Sequence, residues 1–197
     1  MRAGTRREFV AGPAGTIECA VDGPAQAARG VALIAHPHPL FGGTLDNKVV
    51  QTLARAFVEL GYVAWRPNFR GVGKSEGRHD EGRGEVDDLA AVIAHLNADH
   101  PVLAGFSFGA AMQAMLAARV KPERMVLVGA AVGHFAVPPV PGDTLLIHGE
   151  KDETVPLAEV MAWALPQDLP VIVIPGADHF FHRRLQVLRA IVRNNWR

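Results

Sequence analysis

A single cysteine, Cys19, leaves no partner for an internal disulfide and excludes a cysteine-rich metal site. No apolar run approaches the ~20 residues needed to cross a bilayer. The basic stretch Met1–Arg7 is not followed by the apolar core of a signal peptide. Neither sign of charge is in excess, since 20 basic residues meet 20 acidic ones. The electrostatic basis for binding nucleic acid or a membrane surface is therefore missing. Repeats, low-complexity tracts and linker-like segments are also lacking. The expectation is a soluble, cytoplasmic protein forming one domain over residues 1–197, with no nucleic-acid or membrane partner and with monomer and homodimer both open. Apolar residues are plentiful, at 49% of the chain, enough for a substantial core.

The apolar residues fall into two patterns. Arg7–Ala11 and Thr16–Val21 alternate and are separated by Gly12-Pro13-Ala14-Gly15, which predicts an antiparallel pair. Val31–Ala35, Tyr62–Pro67, Val102–Phe106, Met125–Val128, Thr144–His148 and Val171–Ile174 are short apolar runs of the kind covered on both faces. Helical spacing falls between them, in Val49, Val50, Leu53, Phe57 and Leu60, then in Leu89, Val92, Ile93 and Leu96. Asp46 is the expected N-cap of the first of these helices, and Gly61 its stop. Further helices are expected to about Arg119, over Leu157–Leu165, and from Arg183 to about Asn194, with the arginines of the last on its solvated face. Alternation of this kind predicts a mostly parallel, twisted sheet with helices on both faces and an antiparallel N-terminal pair. Ligands gather at the C-terminal ends of the strands in such sheets.

One junction stands out. The run Val102–Phe106 stops at Ser107, which lies between Gly105 and Gly109, and an alanine-rich helical stretch follows at once. Strand, Gly-x-Ser-x-Gly and helix together form the context of a nucleophile elbow, a turn so tight that it strains the serine backbone. A hydroxyl needs a base to take its proton, and the base needs a partner to fix its tautomer. Asp152 follows the strand ending at His148, with Glu150 as second choice. His179 follows Val171–Ile174, with His182 as its rival. The order Ser107, Asp152, His179 is that of an α/β-hydrolase triad. An oxyanion would need two N–H donors. Phe108 N–H is one; Pro37 and Pro39 have none to give, so His38 or Leu40 supplies the other, with His38 preferred.

On these residues the chain resembles a small, lid-less, esterase-like bacterial α/β-hydrolase along nearly its whole length. His36-Pro37-His38-Pro39 stands where that family has a His-Gly-x-x oxyanion loop, with proline in place of glycine. Asn68-Phe69-Arg70-Gly71-Val72-Gly73-Lys74-Ser75 is similar to the family's Arg-Gly-x-Gly-x-Ser loop, whose role is structural. The resemblance implies Ser107 as nucleophile, Asp152 as orienting acid, His179 as general base then acid, and no cofactor.

Two other motifs compete. Gly73-Lys74-Ser75 ends like a phosphate-binding loop, but Asn68 stands where that motif needs its first glycine. His36 and His38 have strand spacing for a metal, yet no carboxylate cluster accompanies them, so no metal is expected. Only Gly133–Gly142, with three prolines, is available between two strands where relatives insert a lid, which predicts an open cleft. Leu40, Phe41, Phe135 and Phe180, with Phe108, are the expected apolar lining. Short esters or thioesters are the leading substrates. The competing functions are a prolyl-peptidase-type peptide or amide hydrolase and a non-catalytic small-molecule binding protein.

Overall fold

Strands covered on both faces need two helical layers, and the chain supplies them. The computed structural model describes residues 4–196. Met1–Ala3, the start of the basic N-terminal stretch, and Arg197 lie outside them. The elements are β1 (Arg6–Gly12), β2 (Gly15–Asp22), β3 (Gly30–Ala35), α1 (Lys48–Glu59), β4 (Tyr62–Pro67), α2 (Arg83–Leu96), β5 (Val102–Phe106), α3 (Phe108–Leu116), β6 (Met125–Val128), β7 (Leu145–Gly149), α4 (Leu157–Ala164), β8 (Val171–Ile174) and α5 (Leu185–Asn195). All eight strands join one sheet in the order β1-β2-β4-β3-β5-β6-β7-β8. β2 runs antiparallel to both β1 and β4, and every later pairing is parallel.

Side chains alternate between the two covered faces. Leu103 packs in the cluster that holds Leu89, Ala110, Met112 and Val160, beneath α2, α3 and α4. Ala104 and Phe106 point the other way, into the cluster of Val50, Phe57, Leu188 and Val192 beneath α1 and α5. Gln113 secures α3 to the sheet, its buried Nε2 donating to Leu33 O at 2.9 Å and Ala104 O at 3.0 Å.

Two details depart from the sequence reading. Asn47, not Asp46, caps α1, accepting from Val49 N–H at 2.9 Å. Asp46 is drawn away by Arg7, at 3.1 Å, and by the buried Arg66, at 3.6 Å. Of the arginines read as the solvated face of the last helix, Arg183, Arg184 and Arg193 are exposed, and only Arg189 is half-buried, where it pairs with Glu59 of α1. The Gly73-Lys74-Ser75 loop is structural. Lys74 N–H and the Asn68 amide both donate to Glu18 Oε2, and the Ser75 hydroxyl donates to Asn68 O.

Candidate active site

Close packing of α3 on β5 is what makes the turn at Ser107 tight. A Cβ on Gly105 would lie 2.5 Å from the backbone of Gly109, and one on Gly109 would lie 2.4 Å from Ala35 O. Both glycines are therefore fixed by backbone, which cannot be moved aside. Ser107 takes φ 56° and ψ −118°, the strained conformation expected of an elbow. The serine is recessed, with 7% of its surface exposed.

Ser107, Asp152 and His179 come together across 72 and 27 residues of sequence separation. His179 Nε2 lies 3.1 Å from Ser107 Oγ, and His179 Nδ1 lies 2.7 Å from Asp152 Oδ2. Asp152 Oδ1 accepts the N–H groups of Thr154 (3.0 Å) and Val155 (2.8 Å), so the carboxylate is held from both ends. An Asp-held Nδ1–H leaves Nε2 as the acceptor facing the hydroxyl, the tautomer a base requires. The two rivals are elsewhere engaged. Glu150 accepts from Gly176 N–H at 2.7 Å on the surface, and His182 is an exposed partner of Asp178, at 2.6 Å.

The loop after β3 folds back on the elbow. Phe41 and Gly43 N–H both donate to His38 O, at 3.1 and 3.0 Å, and a Cβ on Gly43 would sit 2.0 Å from Pro37 O. Leu40 N–H donates to His38 Nδ1 at 3.2 Å and is therefore spent. Among the described residues nothing engages the N–H of His38 or of Phe108. The latter stands at the positive end of α3.

His36 is not a free ligand. Its Nε2 accepts Phe69 N–H at 3.0 Å and its Nδ1 donates to Pro37 O at 2.6 Å, so a neutral ring ties two loops together. Burial pushes its pKa down to about 4. His148, also buried, donates from Nε2 to Val155 O at 2.9 Å, and burial lowers its pKa too. These supporting histidines, like Gln113, carry no sequence signal that separates them from other polar residues.

The expected apolar lining is corrected in part. Phe108 is 1% exposed and packs among Phe69, Phe135, His38 and His79, beneath the site instead of lining it. Phe41 is 87% exposed, Leu40 and Phe180 are also open to solvent, and Phe135 is half-buried. They form a rim, not an enclosed pocket. No helix or strand intervenes between β6 and β7. Among the described residues no helix is long and apolar enough to cross a membrane.

Comparison with known proteins agrees with this fold. A family model for the alpha/beta hydrolase fold matches residues 38–143. An uncharacterised protein of Rickettsia prowazekii is 34% identical, the match covering 89% of this chain and 82% of that protein. An alpha-beta serine hydrolase homologue from Coxiella burnetii superposes with a TM-score of 0.90 at 41% identity, covering 100% of both chains. A Xanthomonas campestris protein described as an α/β serine hydrolase without lid gives a TM-score of 0.90 at 36% identity, over 99% of this chain and 94% of that one. The chain thus belongs to the alpha/beta hydrolase fold family, and it resembles the lid-less serine hydrolases within it.

Proposed function

We propose that the protein is a serine hydrolase that cleaves small carboxylic esters or thioesters by two-step acyl transfer. The observation that carries this reading is the continuous chain from Asp152 through His179 to the Ser107 hydroxyl, at 2.7 and 3.1 Å. Ser107 Oγ attacks the substrate carbonyl while His179 Nε2 takes its proton. The carbonyl oxygen becomes an oxyanion held by Phe108 N–H and His38 N–H. On collapse the bond to the leaving group breaks, and His179 protonates the departing alcohol or thiol. Water then gives its proton to His179 and attacks the acyl-enzyme, and Ser107 recovers its proton as the acid leaves. Asp152 holds the ring and stabilises the imidazolium formed in each half-reaction. Leu40, Phe41, Phe135 and Phe180 contact the organic parts of the substrate. The exposed rim favours small ligands, because a long acyl chain laid over it would stay largely in water.

A fluorophosphonate probe is expected to label Ser107, and Ser107→Ala to abolish labelling and turnover. p-Nitrophenyl acetate is expected to be hydrolysed faster than the butyrate to octanoate esters. Equal turnover by Ser107→Ala refutes the mechanism. Tight ligand binding without labelling would instead identify a binding protein on this fold.

A further inference from the structure

The two edges of the sheet are finished differently. β1, at one end, carries Arg6, Arg7 and Glu8, charges that keep an open edge from pairing with another chain. β8, at the other, is Val171-Ile172-Val173-Ile174, with no charge at all. A strand without polar residues has the pattern of one covered on both faces, yet Val171, Ile172 and Val173 are only half-buried. The helix before it shows the same mismatch. α4 reads Leu-Ala-Glu-Val-Met-Ala-Trp-Ala, with Glu159 its one charge, and a helix apolar nearly all round belongs in an interior. Only Val160 and Ala164 of α4 are buried, whereas Met161 is 50% exposed and Leu165, at the helix end, 77%. α4 is the crossover between β7 and β8, and it shares a core cluster with Val171, so the two open surfaces adjoin.

The free edge of β8 also matches itself. Glu150 N–H donates to Ile174 O at 3.1 Å, which turns the backbone of Ile174, and by alternation that of Ile172, toward β7. Val171 and Val173 therefore point their N–H and C=O groups outward. Pro170 and Pro175 bound this stretch, and Pro175 has no N–H to extend it. A two-fold axis at Ile172 sets Val171 opposite the partner's Val173, and each such pair exchanges both N–H···O bonds of an antiparallel ladder. The same register places Asp168 opposite the partner's Gly176. Arg184 stands over Gly176, where a Cβ would lie 3.6 Å from its Nη2. Asp168 and Arg184 are both exposed, and neither makes an ion pair among the described residues. In the paired arrangement each meets its counter-charge on the other copy.

We infer that β8 and α4 form the interface of a symmetric homodimer, in which two sheets join edge to edge through antiparallel β8 strands. The two-fold axis brings α4 against the partner's α4 on one face of the joined sheet and covers Met161 and Leu165 of both copies. That cover is needed, because a stable interface buries about 1,200–2,000 Å² in total, more than two short strands supply. An extended peptide from another protein would pair with the strand but leave α4 bare. The inference is independent of the reaction catalysed at Ser107.

The test is sedimentation equilibrium of the full chain across micromolar concentrations, with circular dichroism to show that each variant is folded. The parent is expected at twice the mass of one chain. Leu165→Glu, at an exposed position that the monomer fold does not use, is expected to raise the dimer Kd by about ten-fold or more by burying a charge against α4. Val173→Pro removes an outward N–H while sparing the bonds to β7, and should weaken the dimer similarly. Asp168→Lys sets like charges opposite each other and should raise Kd by about ten-fold, and adding Arg184→Glu should restore it. A parent that stays monomeric throughout overturns the interface, as does a dimer whose Kd Leu165→Glu leaves unchanged. A folded Asp168→Lys/Arg184→Glu protein that dimerises no better than Asp168→Lys overturns the register at Ile172 and the interface built on it.

Discussion

Replacing Asp152 with asparagine exchanges one oxygen for an amide nitrogen of nearly the same size, and the site's geometry dictates the outcome. Asp152 Oδ1 accepts two backbone N–H groups, at 3.0 and 2.8 Å, while Oδ2 accepts from His179 Nδ1 at 2.7 Å. The asparagine oxygen keeps the two backbone bonds, which leaves its NH2 facing His179. An NH2 can only donate, so Nδ1 must become the acceptor and the ring proton moves to Nε2. Nε2, 3.1 Å from Ser107 Oγ, then carries the hydrogen and cannot act as a base. A tautomer reversal of this kind costs about 10⁴ in kcat, or roughly 5.4 kcal/mol at 1.36 kcal/mol per decade. The assay is kcat/KM for p-nitrophenyl acetate beside a thermal melt. The variant should melt within a few degrees of the parent while losing nearly all turnover. A folded Asp152→Asn protein within ten-fold of the parent rate would refute the reasoning.

Other perturbations have equally definite outcomes. Gly109→Ala places a Cβ 2.4 Å from Ala35 O and 2.5 Å from His36 O, both backbone, so a loss of about 3 kcal/mol or more is expected in urea unfolding. A loss under about 1 kcal/mol would show that the elbow is looser than these distances imply. For His36, burial lowers the pKa from 6.5 to about 4, so the unfolded chain binds the proton first and stability falls as pH drops through that window. The full effect is roughly 3 kcal/mol, read as the fall in unfolding free energy from pH 7 to pH 4, and His36→Gln should remove this part of it. Phe180→Ala is expected to raise KM for phenyl esters several-fold with little change in melting temperature, since its ring is half exposed beside His179.

Much of the architecture is legible because local signals and global placement agree. Tyr62–Pro67, Met125–Val128 and Val171–Ile174 are strands with the bounds read from sequence, each a short apolar run between polar, glycine or proline residues. Ser107, Asp152 and His179 are legible for a related reason, since each follows a strand and parallel strands end at one rim. What escaped depends on partners distant in sequence. Asp46 and Asn47 are equally good caps locally, and only Arg7 and Arg66 decide between them. His36 has the spacing of a metal ligand until Phe69 N–H is seen to occupy its Nε2. Phe108 reads as a loop aromatic near substrate, but its first-turn position in α3 turns the ring inward onto Phe69.

Ser107 stands at the seam between the two covered faces, with one aromatic neighbour committed to each. Were the protein to cleave an ester lying across that seam with its alcohol half toward His179, in the segment before α5, its acid half would face the segments before α1 and α2. Selection for a new acid and selection for a new alcohol would then act on different stretches of chain. Mutations found for the one should combine with mutations found for the other with little interference.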